Sequence, residues 1–364
     1  MNYNNLQKIK TFGQSIWLDY IRRDMIVSGE LRRLINDDGI RGMTSNPSIF
    51  EKAIAESDIY DRDIRDLVLK KKDIKEIYET ISQRDVQKAA DEFRSLYNKT
   101  NCTDGYVSLE VNPHLAHDTK GTIDEARRLW AKLNRPNVLI KVPATTEGLP
   151  AIRQLISEGI NVNVTLLFGL TRYRQVIKAY ITGIKDRIGQ GKPVKNIASV
   201  ASFFLSRIDA LIDPMEAEFL ALGGEKAHFA TKIRGQVAIS SAKIAYNIYK
   251  ETFESEQFIK LGALPQKLLW ASTRPKNPEY SDIKYIEALI GPNTINTITL
   301  ETLEAYRDHG EPAPQLEVDI KQAFWVMSEL PEVGINIKKI IRKLEKDGII
   351  KFIKSFDNLM EALA

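Results

Sequence analysis

The most informative polar residue in this sequence is a lysine inside an apolar segment. Lys141 interrupts the run 138–143, whose other residues have the composition of a strand buried on both faces. Burial disfavours the charged form of an amine, and an uncharged amine is a nucleophile toward carbonyl carbon. A lysine paired inside the protein, or extended to its surface, is the alternative interpretation. This segment alone leaves a nucleophile and a structural lysine equally open.

Polar residues also lie within or just after other apolar segments. They are carboxylates, amides, hydroxyls and guanidinium groups: Asp19, Asn46, Glu110, Asn163, Thr165, Ser202, Arg207 and Arg274. Side chains at positions i and i+2 of a strand point to the same face, so Asn163 and Thr165 share a face. Each of these residues is ordinary by itself. At comparable positions around one lysine, they predict a polar pocket.

Eight short apolar segments, most followed by polar or turn-forming residues, are predicted to be strands. They span residues 15–19, 39–46, 105–111, 137–143, 160–168, 199–205, 267–273 and 293–299. Helical patterns separate them, as at 149–159, where Pro150 lies near the first turn and Gly159 follows the last. Strands that alternate with helices predict βα units joined by right-handed crossovers.

This alternation favours an α/β fold of the (β/α)8 TIM barrel type. The main alternative is an open doubly wound sheet, which usually has a glycine-rich phosphate turn after its first strand. Neither that turn nor a Walker A loop is present in the sequence. The barrel is therefore the preferred prediction.

Two regions exceed what a plain barrel needs. The connection after strand 2 is too long for one crossover, and residues 58–97 predict two or three extra helices. Beyond a breaker cluster at 310–314, short amphipathic helices are predicted at 320–327, 335–344 and 349–363. We therefore expect a catalytic barrel over residues 1–310 and a C-terminal helical cap packed on it over 311–364.

Composition excludes several classes of protein. The 364 residues include 43% apolar residues, enough to bury a sizeable core. Lys and Arg total 52 against 48 acidic residues without a block of like charge, which argues against nucleic-acid binding and disorder. The single cysteine, Cys102, excludes an intrachain disulfide framework. Because neither a membrane-spanning run nor a secretion signal is visible in the sequence, we expect a cytoplasmic protein that does not bind membranes.

Five motifs, in chain order, resemble the transaldolase family in its longer bacterial form. They lie at residues 43–47, 107–111, 140–145, 161–168 and 201–207, and further matches extend the resemblance to the C-terminal residues. The motifs around Lys141 and Asn163 are together highly specific. The resemblance implies a barrel enzyme that uses a lysine Schiff base and needs no metal and no other cofactor.

The resemblance also implies catalytic roles. Lys141 would attack the ketose carbonyl and form the Schiff base. Glu110 and Thr165 would hold the water that moves protons during dehydration of the carbinolamine. Asp19 would take the proton of the C4 hydroxyl as the C3–C4 bond breaks. A protonated imine is an electron sink, so it stabilises the carbanion that this cleavage leaves.

Substrate binding is implied for the remaining candidates. Those that would hydrogen-bond the dihydroxyacetone hydroxyls are Asn46, Asn163 and Ser202. Arg207 and Arg274 would bind the substrate phosphate, which guanidinium groups match in geometry. Many long members of the family have a small residue in place of Arg274 and a lysine two positions later, where this chain has Lys276. Both Arg274 and Lys276 are therefore candidate phosphate ligands.

The implied reaction transfers a dihydroxyacetone unit from sedoheptulose 7-phosphate or fructose 6-phosphate to erythrose 4-phosphate or glyceraldehyde 3-phosphate. It belongs to the non-oxidative pentose phosphate pathway. One alternative is a lyase resembling fructose 6-phosphate aldolase, but those shorter chains have Gln and Tyr in place of Glu110 and Phe204. The other alternative is a barrel that binds sugar phosphates without catalysis, and the presence of Lys141, Glu110 and Asp19 argues against it. The sequence is compatible with a monomer or a homodimer.

Overall fold

The computed structural model of the chain describes residues 4–364, apart from the side chains at positions 216, 222, 225 and 226. Within that part, eight parallel strands form one closed barrel in chain order. They are β1 Gln14–Asp19, β2 Gly42–Thr44, β3 Tyr106–Glu110, β4 Val138–Pro143, β5 Val162–Leu167, β6 Ser199–Phe204, β7 Lys267–Ala271 and β8 Thr294–Ile298. Each predicted segment contains or overlaps one of these strands, so the (β/α)8 fold is confirmed. Residues 1–3, part of the polar start where we expect no secretion signal, lie outside the described residues.

Helices surround the barrel and connect its strands. Their bounds are α1 Asn5–Thr11, α2 Arg23–Val27, α3 Glu30–Asp37, α4 Pro47–Ala55, α5 Asp61–Leu69, α6 Ile74–Lys99, α7 Thr119–Leu133, α8 Gly148–Glu158, α9 Leu170–Gly189, α10 Ser206–Leu222, α11 Gly224–Ile233, α12 Val237–Phe253, α13 Glu256–Ile259, α14 Lys284–Glu287, α15 Leu300–His309, α16 Ile320–Glu329 and α17 Ile337–Ala362. The helices α5 and α6 occupy the region 58–97 where extra helices are predicted after β2, and α4 precedes that region. Across the described residues, none of these helices combines the length and apolarity that crossing a bilayer requires.

The strands are buried on both faces, as their composition predicts. All six residues of β4 and all six of β5 are buried between the barrel interior and the surrounding helices. At the N-terminal end of the barrel, buried Asp104 accepts hydrogen bonds from Ser15 Oγ, Arg41 Nε and, at 3.0 Å, Trp17 Nε1. This buried network lies at the end of the barrel opposite the carboxyl ends of the strands.

The C-terminal region differs from the prediction. The predicted separate helices at 335–344 and 349–363 are one continuous helix, α17, and Gly348 lies inside it. A Cβ atom at Gly348 would stand 3.0 Å from Leu166 Cδ2 and 3.6 Å from the Phe168 ring. The glycine therefore allows α17 to pack closely on the end of β5 instead of ending the helix. As a result, α17 crosses the barrel face where the strands have their carboxyl ends.

Candidate active site

A cavity of about 450 Å³ opens at the C-terminal ends of the strands, where sites in this fold lie. Most residues predicted from the sequence line it: Asp19, Asn46, Lys141, Thr165, Ser202, Arg207, Arg274 and Lys276. Glu110 and Asn163 lie beside this lining, where they contact Lys141 and Ser202. The structure therefore brings all the predicted site residues together.

Lys141 is held inside the barrel by the register of three strands. Glu110 of β3 pairs with Lys141 of β4, which pairs with Asn163 of β5. The Lys141 ammonium donates a hydrogen bond to the Ser45 carbonyl at 2.9 Å and lies 3.3 Å from Glu110 Oε2. Only 5% of the lysine is exposed. Its side chain thus points into the barrel rather than into the layer of helices.

Two buried polar atoms of the site, Glu110 Oε2 and Thr165 Oγ1, have no hydrogen-bond partner among the described residues. Glu110 Oε2 forms an ion pair with the Lys141 amine. Burial raises the pKa of the Glu110 carboxyl, while the positive charge of Lys141 opposes that shift. Because buried polar groups are normally hydrogen-bonded, these two atoms have free capacity for a water or a substrate atom.

Asp19 ends β1 on the other side of the cavity. Its Oδ1 accepts a hydrogen bond from Thr44 Oγ1 at 2.7 Å, and that hydroxyl lies 2.8 Å from Thr297 Oγ1. Burial raises the pKa of Asp19, while Lys141 and the Thr44 hydrogen bond lower it. A carboxylate with a raised pKa is a stronger base than an exposed aspartate, which suits a role in proton transfer.

Amide and hydroxyl groups are fixed at the cavity wall by hydrogen bonds. Asn46 caps α4, since its Oδ1 accepts from Ile49 N at 3.1 Å. Asn163 Oδ1 accepts from Ser202 Oγ at 2.7 Å, and its Nδ2 donates to Ser108 Oγ at 3.0 Å. These bonds set the orientation of both amides and leave each with capacity for further hydrogen bonds.

Positive charge is concentrated at one side of the cavity. Neither Arg207 nor Lys276 is paired with a carboxylate in the described part of the chain, whereas Arg274 Nη1 lies 3.9 Å from Glu301 Oε2. Burial lowers the pKa of the Arg207 guanidinium. Burial, and then the charge of Arg207, lowers the pKa of Lys276. Unpaired cations around a cavity favour an anionic ligand.

Sequence reasoning missed several residues of the cavity wall. Lys52 of α4 and Lys351, Phe352 and Ser355 of α17 also line it. The Phe352 ring centroid lies 5.9 Å from Lys141 Nζ. The only signal for the α17 residues is their shared helical face, which does not reveal that this face covers the barrel opening.

The first turn of α10, which contains Arg207, is anchored by a buried carboxyl. Asp209 Oδ1 accepts from Ala238 N at 2.8 Å, and Oδ2 accepts from the Tyr285 hydroxyl at 2.7 Å. Burial raises the pKa of Asp209 to about 6. These bonds join α10 to α12 and α14, so they fix the backbone from which Arg207 extends.

We expect Asp209 to make stability pH-dependent. The pKa of Asp209 is higher in the folded than in the unfolded chain. At pH values between these two pKa values folding takes up a proton, so the free energy of unfolding falls as pH rises. The fall from this group should total about 3 kcal/mol between about pH 4 and pH 6. Urea unfolding across that range should give a weaker fall for Asp209→Asn. Equal pH slopes in the two proteins would contradict the prediction.

Comparison with known proteins agrees with this geometry. The family described as Transaldolase/Fructose-6-phosphate aldolase matches residues 16–363. A protein named Transaldolase 2 from Nostoc sp. (strain PCC 7120) is 47% identical, and the alignment covers 100% of this chain and 97% of that protein. A protein named Transaldolase from Trichodesmium erythraeum is 47% identical, and the alignment covers 99% of this chain and 97% of that protein. Another protein named Transaldolase, from Thiobacillus denitrificans, is 43% identical, with 98% of this chain and 99% of that protein covered. The chain therefore belongs to the transaldolase/fructose-6-phosphate aldolase family.

Proposed function

We propose that the cavity is the active site of a transaldolase. The reaction moves a dihydroxyacetone unit from sedoheptulose 7-phosphate or fructose 6-phosphate to erythrose 4-phosphate or glyceraldehyde 3-phosphate, in the non-oxidative pentose phosphate pathway. The observation that most supports it is the Lys141 amine, which is buried inside the barrel opening 3.3 Å from a carboxylate. Membership of the family and full-length relatives named Transaldolase support the same activity.

Schiff-base formation requires an amine and an acid/base beside it. The Lys141 amine attacks the ketose carbonyl to give a carbinolamine, which loses water to form the imine. A water bound to Glu110 Oε2 and Thr165 Oγ1 would carry protons between the carboxyl and the departing hydroxyl. Burial raises the pKa of the Glu110 carboxyl above its ordinary value, which makes it a stronger proton acceptor than an exposed glutamate.

Cleavage of the C3–C4 bond requires a base at the C4 hydroxyl. Asp19 takes that proton, and the electrons of the broken bond pass into the protonated imine. Asn46, Asn163 and Ser202 hydrogen-bond the hydroxyls of the three-carbon unit that remains on Lys141. The unit stays bound until an aldehyde acceptor arrives, which distinguishes transfer from release of free dihydroxyacetone.

The phosphate would bind at the cationic side of the cavity. Arg207 and Lys276 are the better candidates, because both line the cavity and neither has a carboxylate partner among the described residues. The charge of Arg207 also lowers the pKa of Lys276. Arg274 is more than half exposed and lies near Glu301, so we place it at the rim of the phosphate site. This assignment makes Lys276 the main partner of Arg207.

Reductive trapping tests the proposal directly. Borohydride added with fructose 6-phosphate should reduce the imine and attach a sugar-derived adduct to the peptide that contains Lys141. Turnover should require an aldehyde acceptor. An adduct on another peptide, or no adduct, would refute the Schiff-base proposal, while rapid release of dihydroxyacetone without acceptor would indicate an aldolase.

Arg207→Ala tests the phosphate site. We expect the KM for fructose 6-phosphate to rise about 10- to 100-fold with a smaller change in kcat, because a charge-assisted contact to the phosphate is lost. Steady-state kinetics with the natural chain and the variant measure this. Arg187→Ala is the control, since that arginine bonds the carbonyls of Pro193 and Ser157 away from the cavity. An unchanged KM in the Arg207 variant would move the phosphate site elsewhere.

The chain would have two structural parts. Residues 1–310 would be the catalytic barrel, and 311–364 an extension whose helix α17 completes the cavity wall. We propose that the enzyme acts in the cytoplasm, because phosphorylated sugars are charged and do not cross a bilayer unaided. We also propose that it is a monomer or a homodimer.

A further inference from the structure

We infer that Lys351, on the C-terminal helix α17, is a further ligand of the substrate phosphate and a determinant of the preference for phosphorylated ketoses. The inference rests on the proposed function. It assigns to the C-terminal extension a part in substrate specificity as well as in covering the barrel.

One face of α17 is turned toward the barrel opening. Gly348, Lys351, Phe352 and Ser355 follow the spacing i, i+3, i+4 and i+7, which places them on a single helical face. Gly348 packs at the end of β5, and the Phe352 ring lies 5.9 Å from Lys141 Nζ. Gly348, Phe352 and Ser355 are buried. Lys351 is the charged residue of this otherwise small and apolar face.

Lys351 is an exposed residue that lies at the edge of the cavity. It lines the cavity together with Phe352 and Ser355. By contrast, Lys343 on the same helix pairs with Asp347 at 2.6 Å, as surface lysines commonly do. No carboxylate pairs with Lys351 among residues 4–364 wherever side chains are described. Its charge is therefore available to a ligand in the cavity.

Lys351 shares the cavity with cations from other parts of the fold. The charge of Arg207 on α10 is the largest cause of a lowered pKa of Lys351, and burial and the charge of Lys52 on α4 follow. Lys351 in turn lowers the pKa of Lys276, in the loop after β7. Like charges that share one cavity repel each other, and a phosphate dianion among them would convert this repulsion into attraction.

This arrangement gives one helical turn two contacts with the substrate. Phe352 would lie over the carbon atoms bound to Lys141, and its neighbour Lys351 would reach the phosphate at the far end. Binding of the phosphate would then help to hold Phe352 in place over the reacting end. Remote binding energy used in this way raises kcat/KM for the phosphorylated substrate over an otherwise identical sugar.

Donor discrimination tests the inference. For each protein, kcat/KM is measured with fructose 6-phosphate and with fructose, using glyceraldehyde as the acceptor so that only the donor contains a phosphate. The ratio of the two values should fall about tenfold in Lys351→Met, as expected for one lost charged contact. Lys351→Arg should restore most of the ratio. Lys354→Met, an exposed lysine on the same helix outside the cavity wall, should keep the ratio of the natural chain.

An unchanged ratio in Lys351→Met would overturn the inference. If kcat/KM also fell equally with both donors, the result would show that Lys351 has a structural role in docking α17. Trapping of Lys141 by fructose 6-phosphate in the natural chain is measured in parallel. If trapping succeeds while the ratio stays constant, the inference about Lys351 fails and the proposed function stands; if trapping fails, the proposed function itself fails.

Discussion

Replacement of Lys141 by alanine is expected to lower kcat by at least about 10⁴-fold and to abolish borohydride trapping. The reason is chemical: without the amine no imine can form, and the carbanion left by C–C cleavage has no electron sink. Other groups of the cavity still bind the sugar, so fructose 6-phosphate should still protect the variant against thermal unfolding. Turnover assays, mass spectrometry of the trapped peptide and thermal shifts measure these three outcomes.

A second strand lysine provides the control. Lys267 begins β7 at the opposite end of the barrel, where its Nζ donates to the Thr103 carbonyl at 3.0 Å. Lys267→Met removes a lysine from a strand without approaching the cavity, so trapping at Lys141 should persist. A Lys141→Ala protein that is folded and retains turnover would show that another amine forms the imine.

The barrel could be predicted because its strands have a simple physical signature. Strands covered by helices on the outside and packed side chains on the inside must be apolar on both faces, and β4 and β5 show this along their whole length. The prediction was less exact for β2, which spans only Gly42–Thr44 of the predicted 39–46. There the chain leaves the strand early because the Ser45 carbonyl binds Lys141 and Asn46 caps α4.

The strand part of the site was also predictable, and the helical part was not. Polar residues at the carboxyl ends of buried strands must converge at one end of a barrel, so Lys141, Glu110 and Asn163 could be grouped from the sequence. Lys351 and Phe352 follow β8 by some fifty residues, and their position depends on how α17 packs. That packing depends on the absence of a side chain at Gly348, which by itself indicates the end of a helix.

Asp19→Asn should separate imine formation from bond cleavage. The amide keeps the size of the carboxylate and can still bond Thr44, but it cannot accept the C4 hydroxyl proton. We expect kcat to fall about 10²- to 10⁴-fold, the usual range for loss of a general base. Since Lys141 and Glu110 are intact, the imine still forms. Borohydride should therefore trap a six-carbon adduct, whereas the natural chain should yield the three-carbon adduct that remains after cleavage.

The mass of that adduct decides the role of Asp19 independently of the rate. Asp24→Asn is the matched control, because Asp24 lies five residues later, is paired with Arg22 and does not line the cavity. It should give the three-carbon adduct and normal turnover. If Asp19→Asn also gave the three-carbon adduct at a normal rate, the base would have to be another group, and Glu110 would be the remaining buried carboxylate beside Lys141. A variant that formed neither adduct would instead show that Asp19 is needed before the imine forms, because the Asp19 carboxylate and the Lys141 amine interact electrostatically.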